Sequence, residues 1–130
     1  MKFDIKCIIP STATGGRLVG FEEIVAPQFG PPLHTHRQQT EIFHIIEGDF
    51  LFQRGDQQLY LSAGDSCLIP PGVVHTFKNI GDTPARHHFE LLEAGNSEEF
   101  FSRIVSEFSN ITDMNAFFSQ YGLDLVGPPL

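Results

Sequence analysis

The apolar positions of this chain change period once. From Phe3 to Leu92 they fall in short runs broken by Gly, Pro and Asp, and within several runs they alternate with polar residues. From Ser97 onward they recur at helical spacing. Alternation is the signature of a strand with one buried face, whereas spacings of three and four residues mark one face of a helix. The first part therefore predicts strands over residues 3–9, 17–25, 41–47, 50–53, 58–61, 66–69, 75–80 and 85–92. Turn chemistry separates them: Ser11 to Gly16, Gly48-Asp49, Arg54-Gly55-Asp56-Gln57 as a hairpin, Ala63-Gly64-Asp65, Pro70-Pro71-Gly72 and Gly81-Asp82. Pro31-Pro32 favours extended backbone leading into His34.

In the second part, Phe100, Phe101, Ile104, Val105 and Phe108 form one apolar helix face, with Asn96 or Ser97 as cap and Glu98 and Glu99 in the first turn. Thr112 is the expected cap of a second helix carrying Met114, Phe117, Phe118 and Tyr121, ended by Gly122. The apolar tail from Leu123 to Leu130 is expected to pack back on the rest. Many short strands followed by two helices predict a mainly β protein, an antiparallel barrel or double-sheet sandwich with helices to one side. Residues 1–95 are read as the barrel, and residues 96–130 as helices and tail packed on it within one domain.

Composition sharpens this picture in two places. Phe occurs 13 times against 2 Tyr and no Trp, so the interior should be a tight Phe-rich core. Phe43, Ile45, Phe50, Phe52 and Phe77 are its expected lining. The net charge of −8, with only three lysines, argues against nucleic acid or an anionic membrane as partner. No apolar run approaches a membrane span, and the first residues lack the apolar core of a signal peptide. A cytoplasmic protein is expected, with Cys7 and Cys67 as free thiols and Cys67 a buried, inert one.

The candidate chemistry lies in His34-Thr35-His36 and Glu41, with His75 further on. Residues i and i+2 of a strand share a face, so His34 and His36 can present two imidazoles to one point. If Glu41 faces inward, Phe43 and Ile45 do too. His44 then faces outward, and one of the adjacent pair His87 and His88 points inward. Arg37 and Gln39 fall near the mouth of the presumed site and are expected to be solvated.

These residues fall at the spacings of two signature motifs of the cupin superfamily, which the chain resembles. The first reads His34-x-His36, four residues, Glu41, six residues, Gly48. The second reads Gly64, five residues, Pro70-x-Gly72, two residues, His75, three residues, Asn79. One departure stands out: where the family usually has glycine, six positions before the first His, this chain has Gln28, and Gly30 comes two residues later. The resemblance implies a jelly-roll, or double-stranded β-helix, barrel and a 3-His/1-Glu site of His34, His36, Glu41 and His75. That donor set suits one divalent transition metal: Fe, Mn, Ni, Co, Cu or Zn. It further implies a small-molecule ligand in the barrel and a homodimer in which the N-terminal strand extends the partner's sheet. A quercetinase-like dioxygenase is the first functional expectation. A non-catalytic binding or sensing protein, and a Lewis-acid isomerase or lyase, are the alternatives.

Overall fold

The computed structural model describes residues 3–130; Met1 and Lys2, the first two residues of the expected barrel segment, lie outside it. Ten strands and two α-helices follow in order. The strands are β1 (Asp4–Ile9), β2 (Val19–Val25), β3 (Leu33–His36), β4 (Thr40–Glu47), β5 (Asp49–Arg54), β6 (Gln57–Ser62), β7 (Ser66–Ile69), β8 (His75–Asn79), β9 (Ala85–Leu92) and β10 (Leu123–Gly127); the helices are α1 (Ser97–Glu107) and α2 (Met114–Gln120). They form two five-stranded antiparallel sheets, β1-β2-β9-β4-β7 and β10-β3-β8-β5-β6. This is the jelly-roll arrangement, with the helices closing one side.

Strand parity places the core as the alternation requires. Val19, Phe21, Glu23 and Val25 of β2, Glu41, Phe43 and Ile45 of β4, and Ala85, His87, Phe89 and Leu91 of β9 are all buried. Across the sandwich, Phe50, Phe52 and Phe77 meet them, with Phe43 and Phe52 ring centroids 5.0 Å apart and edge-on. Such pairs add to the apolar area they bury, by about 0.5–1.5 kcal/mol each.

The helices build a second core against the first. Phe3, Phe100, Ile104, Phe117, Phe118 and Leu123 are buried together, and Ile5, Phe29 and Phe101 touch both groups. Phe101 lies 4.7 Å from Phe21 and 5.0 Å from Phe89, so α1 plugs the flank of the barrel. We propose that residues 1–95 and 96–130 unfold as one unit, because Ile5, Phe29 and Phe101 join the two cores. Calorimetry should show a single transition whose van't Hoff and calorimetric enthalpies agree; a separate early transition for the helices would oppose this.

Three details depart from the sequence reading. Asp113, not Thr112, caps α2, its carboxylate accepting from the Ala116 N–H at 3.0 Å. Both residue types cap well, and the shorter spacing to the first helical turn decides between neighbours. Val105 is 40% exposed, because the stripe predicted for α1 is wider than the face that docks. The tail does more than pack: Leu123–Gly127 is β10, hydrogen-bonded antiparallel to β3 with Leu123 opposite His36 and Leu125 opposite His34.

Gln28 adopts φ 62°, the left-handed conformation for which glycine is the usual residue. Its side-chain amide donates to the Gly81 carbonyl at 3.1 Å and its backbone N–H to the Asn79 carbonyl at 2.9 Å. The departure from the family pattern is thus one of residue type and not of backbone path.

Candidate metal centre

β3 and β8 pair directly, with His34 opposite His75. His36 follows two residues along on the same face. Glu41 belongs to β4, in the other sheet, so the cluster spans the sandwich. One ligand atom from each of His34, His36, Glu41 and His75 lies within 4.8 Å of the others, and all four residues are buried. Gly72, at φ 77°, makes the turn before His75, and its N–H donates to the His36 carbonyl at 2.7 Å. That bond ties the turn of the second motif to the strand of the first. Asn79 does not touch the cluster. Its amide donates to the carbonyls of Val25 (2.9 Å) and Thr83 (2.8 Å) and its oxygen accepts from Gly81 N–H (2.9 Å), bracing the far end of β8.

The hydrogen bonds fix which ring nitrogens face the centre. A carbonyl only accepts, so Nδ1 of His34, 2.7 Å from the Pro32 oxygen, and Nδ1 of His75, 2.9 Å from the Val73 oxygen, carry protons. In a neutral ring the lone pair is then on Nε2. His75 Nε2 lies 2.9 Å from Glu41 Oε1, and His36 Nε2 lies 3.2 Å from the same oxygen. Lone pairs brought this close repel unless a proton or a cation lies between them. Two ligands at right angles around an ion at ~2.1 Å are themselves ~3.0 Å apart, so these separations fit a shared cation. His36 Nδ1 is buried with no hydrogen-bond partner among the described residues. The donor set, three imidazoles and one carboxylate, suits a divalent transition metal.

Burial drives the His34 pKa down from 6.5 to about 3, assisted by the nearby His75 and His36 and opposed by Glu41 and the Pro32 carbonyl. Burial resists ionisation of Glu41, but His36 and His75 outweigh it and hold this carboxyl well below its ordinary 4.5. The two shifts act in one direction. In the unfolded chain His34 takes up a proton below about pH 6.5, whereas in the fold it does so only near 3, so its contribution to stability falls as pH drops between those values. Glu41 contributes above 4.5 and less as pH falls further. The melting temperature of metal-free protein should therefore decline steadily from pH 7 to pH 4, followed by circular dichroism; a flat or rising profile through that range would contradict this electrostatic reading.

A cavity of about 50 Å³ adjoins the cluster, lined by His34, His36, Glu41, Glu23 and otherwise by apolar residues of the barrel and of both helices. The remaining residues singled out in the sequence lie elsewhere. His44 faces outward, bonded to Ser66 and Glu90, and His88 meets Glu22 on the same outer face. His87 is fully buried. Arg37 makes a two-pronged contact with Asp124 (2.9 and 2.6 Å), and the Gln39 amide donates to the Glu93 carbonyl, the Ala94 carbonyl and Ser97 Oγ. Both are committed to holding β10 and α1, and are not free groups at a mouth. Cys67 is buried beside Arg54, its thiol pKa raised by that burial, and both cysteines are unpaired. Sequence reasoning missed Glu23, although its parity with Phe21 and Val25 on a half-buried strand signalled an inward carboxylate.

Residues 21–89 match the model of a family described as the cupin domain. The chain belongs to the cupin family. This cupin is 31% identical over 90 residues to protein SchB of Streptomyces halstedii, a match covering 68% of this chain and 64% of SchB. It is 33% identical over 51 residues to an oxalate-binding protein of Thermotoga maritima, covering 39% of this chain and 42% of that protein. The chain thus spans less than two thirds of either curated relative. The crystal structure of a protein described as a predicted oxalate decarboxylase, also from Thermotoga maritima, superposes with a TM-score of 0.67 at 21% identity, covering 70% of this chain and 80% of that one. That likeness supports the jelly-roll fold. No helix among the described residues is long and apolar enough to cross a membrane.

Proposed function

We propose that this cupin holds one divalent transition metal through His34, His36, Glu41 and His75 and uses it on a small oxygen-bearing compound bound in the adjoining cavity. The observation that carries this reading is the convergence on Glu41 Oε1 of imidazole nitrogens from the opposite sheet, with His34 and His75 anchored through Nδ1 to backbone carbonyls. The same anchoring residues set ring orientation, as in metal sites generally. When bound, the metal would supply Lewis acidity to a ligand oxygen and, if redox-active, access to oxygen chemistry. The Phe-rich walls exclude water, and Glu41 provides the single negative charge that offsets the dication.

The cavity size favours a compound nearer oxalate than a flavonol, since drug-sized ligands occupy pockets of roughly 300–1,000 Å³ and this one offers about 50 Å³. The names of the relatives also point to small acids. A dioxygenase or decarboxylase of a small acid is therefore the first reading. A binding protein without turnover is the second, and the mostly apolar lining of the cavity, whose polar groups are the cluster residues and Glu23, favours it. Protein purified without chelators should contain about one metal per chain; oxygen uptake and carbon dioxide release are then measured with oxalate, glycolate, catechols, diketones and flavonols. A ligand that raises the melting temperature unchanged would select the binding reading, and lack of metal would defeat both.

The proposal includes a cytoplasmic homodimer. β1 is an edge strand, and pairing it with a second copy would satisfy its open hydrogen-bonding side. Light scattering across a concentration series measures the assembly.

A further inference from the structure

Buried ionisable groups are costly, and one pair here lies outside the metal cluster. Glu23 and His87 face each other across β2 and β9, 3% and 0% exposed, with Glu23 Oε1 3.1 Å from His87 Nε2. The His87 ring is packed among Phe77, Phe43 and Phe50, at centroid distances of 4.8, 5.4 and 5.4 Å, and its Nδ1 has no hydrogen-bond partner among the described residues. The ring is thus fixed by its neighbours, and it fixes Glu23. A carboxylate offers about four acceptor positions, and a protonated carboxyl adds a donor; one contact to His87 satisfies neither form. Oε1 is the Glu23 oxygen that meets His87, and Glu23 also borders the cavity.

What Glu23 faces decides what it can do. It lines the same cavity as His34, His36 and Glu41, and every other residue of that lining is apolar. Register places Glu23 at the opposite end from the cluster. It is level with His87 and Ile45, and Ile45 lies four residues along β4 from Glu41. At ~3.3 Å per residue that is about 13 Å along the strand. The cavity therefore has an acceptor at one end, a cation-holding cluster at the other and apolar walls between.

We propose that Glu23, positioned by His87, binds the end of the ligand remote from the metal cluster, receiving a hydrogen bond from a hydroxyl or amine there. This rests on the metal-centre reading for the other end of the ligand. The substrate class is then a short compound with a carboxylate or similar oxygen group at one end, an apolar middle and a hydrogen-bond donor at the far end. A second carboxylate at that end meets Glu23 as another acceptor and is rejected, because a site built to accept a proton from its ligand leaves a buried polar group unpaired when the donor is missing.

Binding to manganese-loaded protein distinguishes the possibilities, using ω-hydroxy acids of four to six carbons beside the plain monocarboxylates and the dicarboxylates of the same lengths. Calorimetry should find the hydroxy acid of best-fitting length at least about tenfold tighter than its plain counterpart, with the dicarboxylate weakest. Glu23→Gln, which keeps the size of the side chain and supplies a donor, should retain metal content and melting temperature, abolish most of the hydroxy-acid preference and raise dicarboxylate affinity. A purely structural pair would change stability without reversing this order. Equal affinities across the three classes, no binding by any, or an unaltered order in Glu23→Gln overturns the proposal. Failure of the metal-centre reading shows separately, as protein that does not take up manganese.

Discussion

His36→Ala and His75→Ala should each lower metal content from about one equivalent to below about one tenth after dialysis, while the far-ultraviolet spectrum stays that of a β protein. Residues that merely orient metal ligands are worth ~10–100-fold in affinity, so removal of a ligand itself should cost more. His75 is the more sensitive position. It contacts Glu41 directly at 2.9 Å, and its Nδ1 is tied to the backbone of the turn that precedes it. The barrel keeps its shape because Phe43, Phe50, Phe52 and Phe77 pack chiefly on one another, with Phe43 meeting His75 edge-on at a centroid distance of 6.3 Å. Metal analysis by plasma spectrometry, on protein prepared identically to the parent, checks this. A variant that keeps a full equivalent would remove that histidine from the ligand set.

Gly30→Ala should be the most damaging glycine-to-alanine change among the described residues. A Cβ there would stand 1.8 Å from the Phe77 carbonyl oxygen and 2.9 Å from its carbon. These are backbone atoms, and they cannot yield as a side-chain tip would. Both flanks of Gly30 are also held: the Phe29 carbonyl accepts from Asn79 N–H at 3.0 Å, and the Pro31 carbonyl accepts from Thr76 Oγ1 at 2.6 Å. Relief therefore requires β8 and the approach to β3 to part, which disturbs Phe77 in the core and His75 and His34 in the site. Destabilisation above about 3 kcal/mol is expected, beyond the usual range for a single substitution, and a fall in melting temperature on the order of 10 °C or more. Metal affinity should fall with it. A melting temperature within about 2 °C of the parent would show that the backbone contact is more yielding than its geometry implies.

The sequence carried the parts of this molecule that depend on local period. Parity on β4 put Glu41, Phe43 and Ile45 on one face and His44 on the other, and parity on β9 required one of His87 and His88 to be inside. The spacing of His34, His36, Glu41 and His75 foretold the cluster that the fold brings together. What stayed hidden depends on partners distant in the chain. β10 has only five residues, with Asp124 inside it and Pro-Pro after it, so it becomes a strand only through pairing with β3. Arg37 read as a solvated group near the mouth, and its pairing with Asp124, 87 residues away, had no local signal. Glu23 was legible by parity, but its meaning needed His87 opposite it and a cavity beside it.

The pairing of β10 with β3 has a consequence for how the protein is made. The strand bearing His34 and His36 gains its outer neighbour only after residue 127 has left the ribosome, when β3 itself has been outside for some ninety residues of synthesis. Until then β3 presents an unpaired edge, and contacts so far apart in sequence form slowly. The nascent chain thus passes through a stage in which most strands exist but the imidazole-bearing sheet is unsealed. Chains arrested before residue 123 should be captured by chaperones, because the sheet that carries the centre then lacks its outer strand.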